Sequence, residues 1–324
     1  MNDSWDRRAF LKRVAFGCAG LSGIAGATGL LRDAGRDAPI VTPNAARARD
    51  FGSGLDLADV RRLVASARGD AASAVRGAVA ALGGMGRFVH RGETVVIKPN
   101  VGWDRTPLQA ANTNPLVVST LIALCAEAGA AKVIVTDNSC NDASRCFTRS
   151  GIWKAAEEAG AEVVLPAPYR FRTYDLGGAV LGRMPVLAPA VEADRFINAP
   201  VAKHHGLSGF TGAMKNLYGV LGGRRDRLHQ RIDDSIADLA EFLRPTLTVM
   251  DATRVLVRNG PQGGDLGDTQ AVGRVVASVD PVAVDALACG FIGKTPADLP
   301  YLGLAAARGL GAADLARVTV KEIA

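Results

Sequence analysis

The chain has 324 residues, of which 48% are hydrophobic and 22% charged, a balance typical of a globular protein with one large domain or two small ones. An aromatic content of 5% argues against nucleic-acid binding by base stacking. Residues 1–48 carry seven of the 38 Lys/Arg and four of the 32 Asp/Glu, so the rest has a formal net charge of +3. That modest charge gives no support for a nucleic-acid partner.

The first 48 residues have the pattern of an export signal. Arg7 and Arg8 begin a basic segment, which is followed by the uncharged, Gly/Ala-rich run 14–31. A basic segment, an apolar run and a small-residue cleavage site in this order are typical of a signal peptide. The paired arginines indicate the twin-arginine translocase as a partner. We expect cleavage after Ala48 and a periplasmic location, with an uncleaved membrane anchor as the alternative.

The cysteine spacing limits the metal chemistry that the chain can support. No CxxC pair occurs, so the sequence contains no iron–sulfur motif and no Cys-rich zinc motif. Cys140 and Cys146 could form a disulfide in an oxidising compartment. Cys125 and Cys289 lie in apolar helical patterns, where we expect them to act as small buried hydrophobic residues.

A linker and N-terminal helix are predicted over 49–73, followed by one domain over 74–324. The segments LADVRRLVASA and AASAVRGAVAALGG have helical patterns, and further helices are predicted at 114–130, 151–160, 209–220, 233–243, 281–293 and 299–311. Between them are buried-strand patterns: TVVIKPN (94–100), AKVIVTDNS (131–139), AEVVL, DRFINAP, TLTVMDAT (246–253), AVGRVVASVDP (271–281) and RVTVKEI. This alternation predicts an α/β fold, with a mostly parallel sheet and helices on both faces.

Polar residues follow strand after strand in this pattern. In open parallel sheets ligands bind beyond the carboxyl ends of the strands, so a shared cleft is predicted there. The polar residues at these ends are Lys98 and Asn100, Asp137, Asn198 leading to Lys203, Asp251, and Asp280.

The stretch 202–227 (AKHHGLSGFTGAMKNLYGVLGGRRDR) predicts an anion site at a strand-to-helix turn. Its glycines recur every three residues before a helix, and lysines flank them. Free amides at a helix start favour a phosphate or carboxylate, although the spacing is not that of a P-loop. The predicted substrate-binding residues are Lys98, Asn100, Lys203, Gly209, Thr211, Gly212 and Asn216.

Two residues of this stretch, His205 and Lys215, are the predicted catalytic groups, with His205 as acid, base or single metal ligand. His204 is its immediate neighbour, and in a strand the two rings point to opposite sides, so they do not form a two-histidine site. A divalent metal ion held with Asp137, Asp251 or Asp280 remains an alternative to simple anion binding.

Three segments of the chain resemble the domain-of-unknown-function 362 family: TVVIKPN, KHHGLSGFTGAMKNLYG and DPVAVDA. The resemblance covers roughly residues 74–310 and places the family's histidine at His205. It implies an α/β fold and no settled activity. Some relatives carry ferredoxin-like cluster-binding domains, whose cysteine motif is missing here.

Two functions are consistent with these patterns. The first is an exported enzyme that binds a small carboxylate or phosphate, with or without a metal ion, in the strand-end cleft. The second is a non-catalytic periplasmic metal- or cofactor-binding, or redox accessory, protein that serves a partner protein.

Overall fold

The computed structural model describes residues 40–41 and 49–324. Its strands are β1 (Ile40–Val41), β2 (Arg49–Asp50), β3 (Leu63–Arg68), β4 (Thr94–Pro99), β5 (Lys132–Val135), β6 (Glu162–Val163), β7 (Phe171–Asp175), β8 (Arg183–Leu187), β9 (Arg195–Ala199), β10 (Val201–His205), β11 (Gly209–Thr211), β12 (Leu243–Arg244), β13 (Leu247–Leu256), β14 (Thr269–Ser278) and β15 (Thr319–Ile323). Its α-helices are α1 (Ala71–Ala81), α2 (Pro115–Glu127), α3 (Ala143–Arg149), α4 (Ile152–Glu158), α5 (Ala188–Glu192), α6 (Ala213–Asn216), α7 (Ile232–Phe242), α8 (Pro281–Ala288) and α9 (Pro300–Ala307).

The main sheet is mixed but mostly parallel, with the order β15-β3-β14-β13-β9-β4-β5-β6. β14 is antiparallel to both of its neighbours, and the other adjacent pairs in this order are parallel. β10 and β11 extend the sheet beside β13, while β1, β7 and β8 form a separate three-stranded sheet. β12 pairs with β2.

Helices cover both faces of the main sheet, because successive strand residues alternate between two buried clusters. Val95 and Ile97 pack with α1, α2, α3 and α4 on one face. Val96 belongs to the cluster on the other face, which includes residues of α7, α8 and α9. Burial on both faces explains the continuous apolar character of strands such as β4. The predicted fold class is confirmed.

The chain does not leave the sheet when β9 ends. After Pro200 it continues as β10, which pairs in parallel with the later part of β13 and in antiparallel with β11. β10 and β11 form a hairpin in which Lys203 is paired with Thr211 and His205 with Gly209. Residues paired across strands share a face, so Lys203 and Thr211 are neighbours on one side of the hairpin.

Two element predictions were wrong. The helix predicted at LADVRRLVASA is replaced in part by β3, a strand between β14 and β15. Its small side chains, such as Ala65 and Ala67, are fully buried under α1 and β14, so tertiary packing overrides the helical propensity of alanine. The helix predicted at 209–220 is instead β11, the short helix α6 and a 3₁₀ turn at Leu217–Val220.

Cys125 and Cys289 are buried as small hydrophobic residues, as predicted. Cys140 and Cys146 are both free thiols, so the disulfide considered from the sequence is not formed. The predicted signal peptide, with Arg7 and Arg8, lies outside the described residues. Within the described ranges, no helix is long and apolar enough to cross a bilayer.

Candidate functional site

Three lysines from separate elements meet beyond the carboxyl ends of β4 and β9. Lys98 is near the end of β4, Lys203 lies in β10 and Lys215 in α6. All three are buried, with exposures of 1%, 1% and 7% in that order. Burial is the main cause that lowers the pKa of Lys203, and the charges of Lys215 and Lys98 lower it further, as expected of neighbouring ammonium groups. We refer to these residues as the three-lysine site.

Lys98 has no N–H left for a ligand. Its Nζ donates to Pro99 O at 2.8 Å and to Asn216 Oδ1 at 3.0 Å, and it forms an ion pair with Asp137 Oδ1 at 2.7 Å. An ammonium has three hydrogens, and all three have acceptors here. Burial lowers the pKa of Lys98, while the Asp137 charge acts in the opposite direction. Lys98 Nζ is therefore engaged by oxygen atoms of the protein, and its role as a ligand contact stays a prediction.

Asn216 is similarly occupied. Its Oδ1 accepts from Lys98 Nζ and from Asn100 Nδ2, both at 3.0 Å. Its Nδ2 donates to Lys98 O at 3.2 Å and to Asn198 Oδ1 at 2.8 Å. Through these four hydrogen bonds Asn216 holds α6 against β4 and β9, and its role as a ligand contact stays a prediction.

Lys203 is only partly occupied. Its Nζ donates to Ala111 O at 2.5 Å and to Asn100 Oδ1 at 3.0 Å, which leaves one position on the nitrogen free. Burial lowers the pKa of Lys203 to about 7. The Oγ1 of Thr211, its partner across the hairpin, is buried and has no hydrogen-bond partner among the described residues. Lys203 Nζ can therefore donate one further hydrogen bond to a ligand, and so can the Thr211 hydroxyl on the same side of the hairpin.

Lys215 has no hydrogen-bond acceptor and no ion-pair partner in the described part of the chain. Its Nζ lies 4.2 Å from the centroid of the Tyr218 ring, a cation–π contact. Burial is the main cause that lowers the pKa of Lys215 to about 8. The exposed Cys140 acts in the opposite direction on the pKa values of both Lys215 and Lys203.

The imidazole of His205 is held in one tautomer. Its Nδ1 accepts from the backbone amides of Leu207 at 3.1 Å and Ser208 at 3.2 Å. Nδ1 is therefore unprotonated, and in the neutral ring the proton is on Nε2. Burial, followed by the charges of the nearby lysines, lowers the pKa of His205 to about 3. This arrangement suits hydrogen-bond donation from Nε2, and it suits neither proton acceptance nor metal ligation.

The start of α6 is not an open anion site, because an internal carboxylate occupies it. Asp285 of α8 accepts from the Ala213 amide through Oδ1 and from the Met214 amide through Oδ2 at 3.1 Å. A Cβ on Gly212 would overlap Asp285 Oδ1, so this glycine permits the close approach. Gly209 has a φ of +74° at the hairpin turn, which favours glycine. Both glycines therefore have structural roles, and their predicted contacts with a ligand stay predictions.

The three carboxylates considered as metal ligands are each engaged elsewhere. Asp137 Oδ2 accepts from the Val101 amide at 2.7 Å, and Oδ1 is paired with Lys98. Asp251 accepts from the Asn114 amide at 2.8 Å and from the Thr253 amide and hydroxyl. The described residues contain no group of three His, Cys, Asp or Glu that could hold a metal ion.

Asp280 is also not at the predicted cleft. It follows β14, whose Ser278 is level with Thr248 of β13 and, through it, with Asn198 of β9. Because β14 runs antiparallel to β13, the chain at Asp280 heads away from the carboxyl ends of β4 and β9. There it caps α8 by accepting from the Ala283 amide at 2.9 Å and also accepts from the Ala312 amide at 2.8 Å. The sequence does not show strand direction, which is why Asp280 was included.

The segment that covers the Lys98–Asp137 pair was missed from the sequence. A Cβ on Gly219 would overlap Asp137 Oδ1, and Gly219 O accepts from the Asn138 amide at 2.7 Å. Arg225 donates from NH1 to Asn138 O at 2.7 Å, and from NH2 to the carbonyl of the next residue at 3.0 Å. Arg225 thus holds this segment in place through two hydrogen bonds to backbone carbonyls. No local sequence signal identifies these contacts, which join residues about 80 positions apart.

The buried lysines predict an unusual pH dependence for the ligand-free protein. The folded-state pKa values of Lys203 and Lys215 lie below the ordinary lysine value of 10.5. Between these values the unfolded chain binds more protons, so the free energy of unfolding should rise with pH above about 7. The slope approaches about 1.4 kcal/mol per pH unit for each proton. We expect urea titrations from pH 7 to 9 to show a steeper rise for the wild type than for a Lys203→Met/Lys215→Met variant. Parallel profiles would contradict this.

Comparison with known proteins places these residues in a family. Residues 95–290 match the family model described as Domain of unknown function (DUF362). A curated relative, Thylakoid-associated protein sll1697 of Synechocystis sp. (strain ATCC 27184 / PCC 6803 / Kazusa), is 26% identical over 237 residues, which are 71% of this chain and 72% of that protein.

Two solved structures show a similar fold. The lactate racemase apoprotein from Thermoanaerobacterium thermosaccharolyticum is matched with a TM-score of 0.42 and 16% identity, over 76% of this chain and 61% of that chain. A structural-genomics protein from Thermotoga maritima is matched with a TM-score of 0.42 and 12% identity, over 70% and 60% of the two chains. This chain therefore spans about three fifths of each of those structures. The family model covers more than half of the chain and includes the whole three-lysine site, and on that basis the chain belongs to the domain of unknown function 362 family.

Proposed function

We propose that the protein is an exported enzyme that binds a small carboxylate or phosphate at the three-lysine site. One observation carries this proposal. The site buries three lysines, and among the described residues Lys98 is the one that forms an ion pair with a carboxylate, that of Asp137. Lys203 and Lys215 have no such partner in the described part of the chain. The site therefore has two buried cationic groups whose charge an anionic ligand would balance.

Electrostatics favours this ligand class. Removing an ammonium from water costs several kcal/mol unless it gains a partner, and burial accordingly lowers the pKa of both lysines. A ligand with one or two negative charges would recover much of that cost, since Coulomb interactions are stronger in a site shielded from water. The open position on Lys203 Nζ and the unpartnered Thr211 hydroxyl supply directional hydrogen bonds to ligand oxygens.

The neutral ring of His205 supports an enzymatic role over simple capture. Its Nε2–H is a fixed donor near the two open lysines, and donors held in advance stabilise negative charge that develops on a substrate oxygen. Export rests on the pattern of residues 1–48, with its paired Arg7 and Arg8. A non-catalytic accessory role, with a ligand bound but not converted, is the alternative outcome of the test.

We expect inorganic phosphate or malonate to raise the melting temperature of the wild-type protein, with the effect weakening as NaCl is added. Lys215→Met should lose most of this shift, because it removes one of the two uncompensated charges. Lys154→Met is a matched control, since Lys154 is exposed and forms only a surface pair with Glu158. Thermal denaturation with calorimetric titration provides the measurement. If neither anion binds the wild type, the proposed function is wrong.

Mass spectrometry of the protein purified from its native source would identify a bound ligand directly. A small anionic metabolite supports the proposal. A stoichiometric metal ion in place of an anion would overturn it in favour of the metal-binding alternative.

A further inference from the structure

The three lysines differ in how many hydrogen-bond acceptors surround each nitrogen. Lys98 Nζ has three acceptors, which suits a protonated ammonium with no free lone pair. Lys203 Nζ has two. Lys215 Nζ has no hydrogen-bonding or ion-pairing acceptor among the described residues. Because the number of acceptors around Nζ differs from one lysine to the next, we expect the three lysines to have different roles.

The surroundings of Lys215 are those of an activated amine. The residue is 7% exposed, and its Nζ faces the ring of Tyr218 at 4.2 Å. Burial lowers the pKa of Lys215, Cys140 opposes this, and Arg225 lowers the pKa further. The charge of Lys215 in turn lowers the pKa of Lys203. Desolvation and nearby cations favour the neutral amine, which is the nucleophilic form of lysine. No described acceptor ties the nitrogen to a fixed structural position.

We propose that Lys215 is a catalytic nucleophile, and that it forms an imine with the carbonyl carbon of a small oxo acid whose carboxylate is bound by Lys203. This inference rests on the proposed function, because it needs an anion at the three-lysine site. It adds the chemical class of the substrate, which is a carboxylate that also carries a ketone or aldehyde near the acid group.

The reaction balances without a further reactant. The lone pair of neutral Lys215 Nζ attacks the carbonyl carbon, and the C–N bond forms as the C–O π bond breaks. The carbonyl oxygen leaves as water with the two hydrogens that Nζ carried, and a C=N bond remains. Nothing is oxidised or reduced. Thr211 Oγ1–H and His205 Nε2–H are the hydrogen-bond donors near this site that can assist departure of the oxygen.

The inference is tested by trapping the imine in the full-length protein. Pyruvate is the probe, and sodium cyanoborohydride reduces an imine to a stable secondary amine. Intact-mass measurement and peptide mapping then locate the adduct. We expect one adduct per chain on Lys215, which phosphate or malonate suppresses by competition.

Three variants sharpen the assignment. Lys215→Arg keeps the charge but lacks a nucleophilic amine, so it should bind malonate and give no adduct. Lys203→Met should reduce trapping by roughly tenfold or more through loss of a charge-assisted hydrogen bond. Lys154→Met, at an exposed surface position, should be trapped like the wild type.

The outcomes separate this inference from the proposed function. Malonate binding with no adduct on Lys215 overturns the imine and leaves the anion site intact. Adducts on Lys203, or spread over exposed lysines, overturn the assignment to Lys215. If malonate and phosphate do not bind at all, the proposed function fails and the inference fails with it.

Discussion

Replacing Lys203 by methionine is expected to stabilise the ligand-free protein and to weaken anion binding by roughly 10- to 100-fold. The loss of affinity corresponds to one charge-assisted hydrogen bond, about 1.5–3 kcal/mol. The gain in stability arises because the site is suited to a ligand that is absent in the free protein. Improved stability with lost binding distinguishes a functional buried charge from a structural one.

The sign of the stability change follows from two opposing terms. Burial lowers the pKa of Lys203 from 10.5 to about 7, which at pH 7 costs the native state about 5 kcal/mol. Methionine has similar length and removes that cost. It leaves Ala111 O and Asn100 Oδ1 without their donor, at about 1–2 kcal/mol each. The free energy of unfolding should therefore rise by about 1–3 kcal/mol.

Urea denaturation at pH 7 and calorimetric titration with phosphate measure the two effects. Lys132→Met is the control, because Lys132 is exposed and pairs with Glu162 at the surface, where such a pair contributes about 0–1 kcal/mol. A Lys203→Met protein that binds phosphate as tightly as the wild type would remove Lys203 from the site. A strongly destabilised variant would show that its role is structural.

Replacing Asp285 by alanine should displace the site. Near pH 4, where the buried carboxyl is neutral and carries little ionisation cost, it should also destabilise the protein by about 3 kcal/mol or more. Two buried amides, those of Ala213 and Met214, lose their acceptor, and each such loss costs about 1–3 kcal/mol. The side chain is fully buried, so water does not replace it easily. Because Asp285 fixes the start of α6, the variant should also bind phosphate less tightly through misplacement of Lys215.

Asp142→Ala is a matched control for this prediction. Asp142 also caps a helix, by accepting from the Arg145 amide at 2.9 Å, but it does so at an exposed position. Its loss should cost about 1 kcal/mol and leave anion binding unchanged. If the two variants lose the same free energy of unfolding in urea titrations, the prediction that the buried Asp285 cap contributes more than an exposed cap is wrong.

A second readout comes from the pH dependence of Asp285. Burial raises the pKa of its carboxyl to about 7, so between about pH 4 and 7 the native state binds more protons than the unfolded state. The contribution of this group to the free energy of unfolding therefore falls as pH rises through that range. Asp285→Asn should remove that component, and an unchanged pH profile would show that Asp285 does not titrate as described.

Much of the fold could be predicted because buried parallel strands are short, apolar and β-branched. β4 and β13 were found from such runs, and α2 and α7 from helical patterns with clear ends. β3 was missed because alanine and serine favour helix when read alone. Its strand conformation depends on pairing with β14 and β15, far away in the sequence.

The candidate site was predicted only in part. The lysines at the end of β4, in β10 and in α6 were identified from residue type and their position after strands, and the structure brings them together. Asp251 and Asp280 were included on the same reasoning, but Asp251 accepts from the start of α2 and Asp280 caps α8. Residue type at a strand end does not show which way a strand runs or which amide a carboxylate meets.

The stretch around Gly212 shows what the sequence determined and what only the tertiary structure decided. By itself the sequence determined that this stretch belongs to an α/β fold, follows a buried strand and carries lysines suited to an anion. Only the tertiary structure decided that Asp285, 72 residues from Ala213, caps its helix, and that Lys98 is saturated while Lys215 has no acceptor. The physical reason is that local pattern sets periodicity and burial. The use of each hydrogen-bonding atom, in contrast, depends on partners that folding brings from distant parts of the chain.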